Sequence, residues 1–342
     1  MKPLSQRIQE ANALLIPSAT PHEGRRGRTY EEPADETRFP FQRDRDRIIH
    51  SYSFLRLQGK TQVFAAGEGD HLRTRLTHTM EVAQISRDLA RTLGLNEDLS
   101  ECIALAHDLG HPPFGHAGEE ALNAWMHGHG GHFEHNEQSH RIVTVLEKHS
   151  SKYPGLNLNL EIVEGLLKHS PLHHTLEARL VNIADSIAYN SHDCDDGLTA
   201  DLFSREDLLT VPLARQAYEH TRERGTYIRG ALQHMLVEDL LKHSSLDSKD
   251  NEPISFSPAM AASLKELRNF LWDHMYMHPT VREQAMKGHR IVASLCDLLL
   301  KHPNEKIAHL QARTGGTVIE AIKDYVAGMT DAFAAESLSV LS

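Results

Sequence analysis

Apolar residues recur along most of this chain at intervals of three and four positions, which is the period of an amphipathic α-helix. The strongest pattern spans 73–94, where the residues near one face are Leu76, Met80, Val82, Ile85, Leu89 and Leu93. A second pattern, over 175–190, is almost wholly apolar. Weaker helical patterns cover 45–59, 98–108, 115–126, 133–149, 160–169, 199–245, 259–300 and 316–336. Because we find no alternating strand series, internal repeat or heptad run, the sequence predicts an all-α fold.

Irregular polar segments separate the predicted helices. Residues 1–37 contain scattered prolines and glycines, and their arginines alternate with acidic residues. This segment is interpreted either as a solvated arm with local ion pairs or as an arm that contacts phosphates or a partner subunit. Loops are predicted at 65–72 and 244–258, which are rich in turn-forming residues. The sequence therefore predicts an N-terminal arm over 1–37 and one helical domain over 38–342.

Composition and charge narrow the class of protein. Of the 342 residues, 40% are hydrophobic and 24% are charged, which is typical of a globular protein with a sizeable core. The net charge of −11 argues against broad, non-specific binding to nucleic acid. The three cysteines are widely spaced and predict neither a disulfide framework nor a thiolate zinc site. Since no apolar run is long enough to span a bilayer and the N-terminus lacks an apolar signal core, we expect no membrane span and a cytoplasmic location.

The candidate chemistry centres on residues 104–119, which read ALAHDLGHPPFGHAGE. His107 and Asp108 stand in the last turn of a predicted helix that would begin with a capping box at Asp98 and Glu101. A glycine and two prolines then end this helix. Buried charged groups need a partner or a metal ion, and the negative end of a helix attracts a cation. We therefore hypothesise that His107 and Asp108 hold a divalent cation.

Two further polar residues lie inside apolar helical patterns, His78 in the first strong helix and Asp185 in the second. The alternative for His78 is a structural histidine, and the alternative for Asp185 is a buried ion pair. If both converge on His107 and Asp108, the site contains two imidazoles and two carboxylates. Such a site suits Mn, Mg, Fe, Co, Ni or Zn, and it leaves positions open for water or a phosphate oxygen.

The turn that follows carries the candidate acid/base residues. Glu119 lies three residues after His116, so both can face the same side near a helix start. Imidazole transfers protons near neutral pH, and a neighbouring carboxylate can select its tautomer. The roles of general acid, general base and nucleophile all stay open for His116. The chain contains no G-x-x-x-x-G-K-[ST] and no G-x-S-x-G pattern, so neither a P-loop nor a serine nucleophile competes with this interpretation.

The order His78, His107-Asp108 and Asp185 resembles the H…HD…D signature of the HD-domain metal phosphohydrolases. Longer segments are similar to the deoxyguanosinetriphosphate triphosphohydrolase-like (dGTPase-like) family, which acts on deoxynucleoside triphosphates (dNTPs). These segments are 46–51, 60–64, 75–78, 107–119, 133–136, 184–190, 192–193 and 324–331. The similarity extends from about residue 24 to about residue 335.

The resemblance implies an HD-domain helical bundle with an irregular N-terminal arm, a metal core over about 45–200 and a C-terminal helical part over about 200–340. It implies hydrolysis of dGTP or several dNTPs to the deoxynucleoside and tripolyphosphate. The implied metal ligands are His78, His107, Asp108 and Asp185, and the implied catalytic residues are His116 and its partner Glu119. The implied substrate contacts are Arg75, His111 and His135 near the α-phosphate, Tyr189 under the sugar, and Gln62 and Asp193 at the 3′-hydroxyl. A homo-oligomer, hexamer or tetramer, and activation by a dNTP are implied as well.

Leu55, Ser186 and Ala332 depart from the residues that many relatives carry, and none of them is an implied ligand. Two alternatives to the dNTP hydrolase stay open. The first is an HD phosphohydrolase that acts on nucleoside monophosphates or another phosphoester. The second is a non-enzymatic sensor that keeps a metal site and binds a nucleotide or single-stranded DNA.

Overall fold

The computed structural model of the chain describes residues 2–63, 73–167, 175–246 and 253–341. Within these ranges all regular secondary structure is helical, and β-pairing is limited to isolated bridges, so the all-α prediction is confirmed. The helices are α1 (Leu4–Asn12), α2 (Pro40–Ile49), α3 (Tyr52–Arg56), α4 (Arg75–Leu93), α5 (Glu97–Ala106), α6 (Gly115–His127), α7 (His135–Arg141), α8 (Leu160–Gly165), α9 (Leu176–Thr199), α10 (Arg205–Leu208), α11 (Pro212–Arg224), α12 (Ile228–His243), α13 (Pro258–Leu271), α14 (Pro279–Lys301), α15 (Glu305–Thr314), α16 (Val318–Ala327) and α17 (Asp331–Leu341). None of these helices is long and apolar enough to cross a membrane. The predicted loop at 65–72 lies outside the described residues, as do parts of the predicted segments 160–169 and 244–258.

Several helix ends differ from the predicted ones for local reasons. The side chain of Asn96 accepts a backbone N–H of the first turn of α5 at 3.1 Å, so the predicted start at Asp98 is wrong. The predicted helix over 45–59 is divided at Ser51, whose hydroxyl caps α3. The pattern over 199–245 is likewise divided into α10, α11 and α12, and α15 was not predicted.

Helix α9 is longer than predicted, because it continues to Thr199. Asp193, Asp195 and Asp196 therefore lie inside the helix and not at or beyond its end. Asp193 follows Asp185 by eight positions, and residues seven or eight positions apart on a helix project from the same face. The longer helix thus adds the carboxylate of Asp193 to the face that carries Asp185.

The N-terminal arm is mostly irregular, but it begins with α1 and is attached to the domain. The carboxylate of Glu177 accepts hydrogen bonds from the backbone N–H of Thr20 at 2.9 Å and from its hydroxyl at 3.1 Å. Arg28 forms an ion pair with the fully buried Asp44. Since buried charges require partners whereas exposed pairs contribute little, the interpretation as a solvated arm is wrong for these residues.

The main core brings the predicted ligands together. Helix α4 lies against α5 and α9, and α12 also packs on α9. Their apolar faces meet in a core that includes the buried side chains of Leu89, Leu105 and Leu180. Burying each such side chain contributes about 1.5–3 kcal/mol relative to exposure. This packing holds the C-terminal end of α5 beside α4 and α9, the helices that carry the other two predicted ligands.

A second apolar core joins α6, α14, α16 and α17, and the turn between α5 and α6 leads from one core to the other. The sequence predicts Gly110, in this turn, as a helix stop, but its φ is not in the left-handed region. A Cβ at Gly110 would instead lie 2.2 Å from the carbonyl oxygen of His135. Its N–H donates to the hydroxyl of Ser139 at 2.8 Å. Glycine is therefore needed here because α7 approaches the backbone of the turn directly.

Candidate metal centre and adjoining cavity

The C-terminal end of α5 directs two polar side chains into a buried region. The backbone of His107 keeps helical dihedral angles as the C-cap, and Asp108 follows it. Nδ1 of His107 lies 2.6 Å from the carbonyl oxygen of Ala104, which can only accept a hydrogen bond. In the neutral ring the proton is therefore on Nδ1, and Nε2 carries a lone pair that can bind a metal ion.

The ligand atoms of the four predicted metal ligands converge. Nε2 of His107 lies 3.2 Å from Oδ1 of Asp108 and 3.8 Å from Oδ1 of Asp185. Nε2 of His78 lies 3.1 Å from Oδ1 of Asp185 and 3.9 Å from Oδ2 of Asp108. Atoms that bind one ion at about 2.1 Å stand roughly 3–4 Å from one another. This set of donors therefore fits a divalent cation, and its mixed N/O character does not choose among the metals considered.

Basic neighbours hold Asp108 in its ionised form. Nη1 of Arg75 donates to Oδ2 of Asp108 at 2.6 Å, and Nε2 of His111 lies 3.4 Å from Oδ1. Burial acts to raise the pKa of Asp108, but the nearby His107, Arg75 and His111 hold this pKa well below its usual range. The carboxylate is the form that binds a cation.

Glu119 organises a second group of side chains. It accepts a hydrogen bond from the backbone N–H of His135 at 2.9 Å and lies 2.8 Å from Nδ1 of the same residue. Its other oxygen lies 3.6 Å from Nδ1 of His116, whose side chain is 74% exposed. Burial acts to raise the pKa of Glu119, but the adjacent imidazoles of His116 and His135 hold this pKa well below its usual range. Glu119 is therefore a carboxylate placed beside two imidazoles.

A cavity of about 590 Å³ lies beside this second group. Its lining includes Gln62, Phe114, His116, Glu119, Trp272 and Tyr276. The volume falls in the range of small-molecule sites, roughly 300–1,000 Å³. Oε1 of Gln62 is buried and has no hydrogen-bond partner among the described residues, so this wall offers an acceptor to a ligand.

His111 connects the metal-binding side with the cavity side. Its ring stacks on His135 with centroids 3.9 Å apart and lies edge-on to His116 at 5.8 Å. Burial and the positive charge of Arg75 lower the pKa of His111 well below its usual value, which keeps this imidazole neutral. The ligand cluster, the acid/base candidates and the cavity therefore form one continuous site.

His192 belongs to this site, although no role was predicted for it. Its Nε2 lies 3.0 Å from Nδ1 of His78. Its Nδ1 lies 2.9 Å from Oδ1 of Asp193, a contact that is electrostatic because the two atoms are not aligned for a hydrogen bond. Asp193 in turn accepts a hydrogen bond from the hydroxyl of Tyr276. The signal in the sequence is the spacing, because His192 follows Asp185 by two helical turns.

Known proteins match the chain over nearly its whole length. Residues 75–190 match the HD domain, and residues 254–339 match the phosphohydrolase-associated domain. A deoxyguanosinetriphosphate triphosphohydrolase-like protein of Parvibaculum lavamentivorans is 40% identical, with 95% of each chain covered. One from Deinococcus radiodurans is 39% identical over 98% of each chain, and one from Thiobacillus denitrificans is 43% identical over 90% of this chain and 92% of the relative. The chain belongs to the dGTPase-like family of HD-domain proteins.

Membership of the dGTPase-like family confirms the resemblance seen in the sequence and supports phosphohydrolase activity. HD domains are metal-dependent, and in this dGTPase-like chain His78, His107 and Asp108 place their ligand atoms within 4.8 Å of one another. The buried cluster at the end of α5 is therefore the candidate for the metal site that an HD domain requires. The identity of the metal stays open.

The predicted substrate contacts of this dGTPase-like chain occupy different surroundings. The guanidinium of Arg75 is engaged by Asp108 and, at 3.1 Å, by the carbonyl oxygen of Thr61. Tyr189 is half-buried, with the guanidinium of Arg268 5.5 Å from its ring. Asp193 is fully buried. The contacts of Arg75 with phosphate, and those of Tyr189 and Asp193 with the sugar, stay predictions.

His192→Ala is expected to weaken the binding of Mn²⁺ by about 10- to 100-fold. If Nε2 of His78 binds the ion, its Nδ1–H donates to His192, and the substitution leaves that buried N–H without this partner. Isothermal titration calorimetry on the full chain measures the affinity. Ser191→Ala, at a buried neighbouring position of α9, is the matched control and should bind Mn²⁺ as the wild type does. Wild-type affinity in His192→Ala would contradict the expectation.

Proposed function

We propose that this chain hydrolyses deoxynucleoside triphosphates to the deoxynucleoside and tripolyphosphate. The continuity of the site supports this most, because a cluster of metal-ligand atoms, an exposed imidazole beside a carboxylate and a ligand-sized cavity adjoin one another. Cleavage at the α-phosphate needs a polarised phosphoryl oxygen, a group that transfers a proton and a place for the nucleoside. The relatives are named deoxyguanosinetriphosphate triphosphohydrolase-like proteins, and these names point to the same class of substrate.

The proposed metal ligands are His78, His107, Asp108 and Asp185. A bound divalent ion supplies polarisation of a phosphoryl oxygen and activation of water. The chain's own contribution is to keep the ligands in their binding forms. The Ala104 carbonyl fixes the tautomer of His107, and Arg75 stabilises the ionised Asp108.

His116 is proposed to transfer the proton at the scissile bond. The negative charge of Glu119, 3.6 Å from Nδ1, favours a proton on that nitrogen, so that Nε2 is left to act on the substrate. A positioned imidazole of this kind typically contributes about 10²- to 10⁴-fold to the rate. The 74% exposure of the His116 side chain leaves it accessible from the cavity side.

The remaining residues are proposed to bind the substrate. His111 and His135 lie between the metal ligands and His116, where the α-phosphate would be held. The buried Oε1 of Gln62 is an acceptor suited to the 3′-hydroxyl of the sugar. Asp193 is proposed to bind the same hydroxyl, and Tyr189 is proposed to lie under the sugar ring. Assembly into a hexamer or tetramer and activation by a dNTP stay predictions.

Product analysis tests this proposal. The full chain is incubated with each of the four dNTPs, singly and mixed, in the presence of a panel of divalent metals, and the products are separated by anion exchange. Tripolyphosphate with the deoxynucleoside is the expected result. Inorganic phosphate released from nucleoside monophosphates would instead favour the other HD phosphohydrolase activity. If the wild type hydrolyses every substrate no faster than His116→Ala does, the chain is not an enzyme for these substrates, and the interpretation as a non-enzymatic sensor is favoured.

A further inference from the structure

The C-terminal segment 324–331 shares the family's sequence pattern, but the proposed chemistry gives it no role. This segment joins α16 to α17 and carries the buried carboxylate of Asp331. One oxygen of Asp331 accepts from the backbone N–H of Thr61 at 3.0 Å and from the Thr61 hydroxyl. The other oxygen accepts from the backbone N–H of Phe114 at 2.8 Å. A single buried carboxylate therefore joins two segments that are distant in sequence.

Both partners of Asp331 lie just before residues of the proposed site, Thr61 one residue before Gln62 and Phe114 two residues before His116. Thr61 precedes Gln62, whose amide oxygen lies in one wall of the cavity. Phe114 and Gly115 lead into His116, and both have positive φ values, 64° and 56°. A non-glycine residue in this left-handed region is strained and persists only where its surroundings hold it. The hydrogen bond from Phe114 to Asp331 is one of the contacts that hold the turn in this shape.

Lys60 reinforces the same connection. Its side chain is buried, and Nζ donates to the carbonyl oxygen of His111 at 2.5 Å and to that of Ala327 at 3.0 Å. His111 lies in the turn after α5, and Ala327 is the last residue of α16. The C-terminal segment is thus joined to the turn between α5 and α6 at His111, through Lys60, and at Phe114, through Asp331. We call Lys60, Thr61, Phe114 and Asp331 the clasp.

We propose that the clasp sets the relative position of His116 and Gln62, and that Asp331 is its principal positioning residue. The inference rests on the proposed function, since it assigns His116 to proton transfer and Gln62 to the substrate. Asp331 would act through the backbone of Thr61, one residue before Gln62, and through the backbone of Phe114, two residues before His116. The phosphohydrolase-associated region would then be needed for the geometry of the site as well as for packing. A displacement of about 1 Å at a reacting group can lower a rate by roughly 100-fold.

Asp331→Asn is the direct test, because an amide keeps the shape but replaces one accepting oxygen by an NH₂ group. That group would face the N–H of either Thr61 or Phe114 and release one side of the clasp. We expect kcat to fall by about 10- to 100-fold, with KM and the affinity for Mn²⁺ changed by less than about threefold. The ring ¹H–¹³C resonance of His116, assigned by its absence in His116→Ala, should shift.

Asp324→Asn is the matched control. Asp324 is a buried carboxylate of the same segment, but it accepts hydrogen bonds from Gln138 at 3.1 Å and Arg141 at 2.9–3.0 Å on α7 and lies 2.9 Å from Nζ of Lys323. We expect this variant to lower the melting temperature while leaving kcat and the His116 resonance near their wild-type values. The proposal is wrong if Asp331→Asn leaves both kcat and the His116 resonance unchanged, or if Asp331→Asn and Asp324→Asn change them equally. The resonance does not require turnover, so failure of the proposed function is distinguished from failure of the clasp.

Discussion

Asp185→Asn is expected to abolish binding of the divalent ion and to lower turnover by at least about 10³-fold. The amide preserves the shape of the side chain but removes the negative charge that stands 3.1 Å from Nε2 of His78 and 3.8 Å from Nε2 of His107. A bound cation contributes several kcal/mol of transition-state stabilisation, and each 1.36 kcal/mol changes the rate tenfold. Titration with Mn²⁺ and the rate of dNTP hydrolysis, measured on the same preparation, check both parts.

The control for Asp185→Asn is Asp195→Asn, which removes a carboxylate from the same helix. Asp195 lies 3.7 Å from Nε of Arg229 and is outside the ligand cluster, so metal affinity and turnover should stay within about twofold of the wild type. Near-wild-type affinity for Mn²⁺ in Asp185→Asn would show that this residue is not a ligand. It would return Asp185 to the alternative of a structural ion pair.

His116→Ala is expected to lower kcat by about 10²- to 10⁴-fold while the ion stays bound. Its side chain is 74% exposed and lies beside Glu119, apart from the ligand atoms of the cluster, so its loss removes proton transfer and not the metal. The prediction is checked by measuring the turnover of dNTPs and the affinity for Mn²⁺ on the same preparation of His116→Ala. The metal-ligand and proton-transfer roles are thus separated by experiment.

His127→Ala controls for loss of an exposed imidazole, since His127 is an exposed residue at the other end of α6. We expect its kcat to equal that of the wild type within error. If His116→Ala retained full turnover, another group would have to transfer the proton. If it lost the metal as well, His116 would belong with the ligands.

The sequence was sufficient to predict most helices and to name many of the residues that the structure brings together in the candidate site. The first strong pattern became α4 with little change of bounds, because helical periodicity and a terminal Gly94 are both local signals. His107 and Asp108 were correctly placed at the end of α5 for the same reason. The boundary at Asp98 was wrong because Asn96 supplies the cap two residues before the predicted capping box begins. Asn96 and Asp98 are both residue types that cap helices, and periodicity does not distinguish them.

The attachment of the N-terminal arm could not be read from its composition. Arginines that alternate with acidic residues are typical of a solvated segment, yet Arg28 pairs with the buried Asp44 of α2. The role of His192 was missed for a related reason. Its contact with His78 joins residues that are 114 positions apart, on α9 and α4, and no local pattern encodes that distance.

By itself, the sequence determined that the fold is helical, where most helices lie, and which polar residues stand on their buried faces. The family pattern added membership and a set of candidate roles. Only the tertiary structure decided that His78, His107, Asp108 and Asp185 converge, that His111 connects them to His116, and that Asp331 reaches Thr61 across 270 positions. Periodicity reports which face of a helix is buried, because that depends on neighbours three and four residues away. What the face meets depends on the packing of several helices at once, and that is where the metal-ligand geometry and the clasp arise.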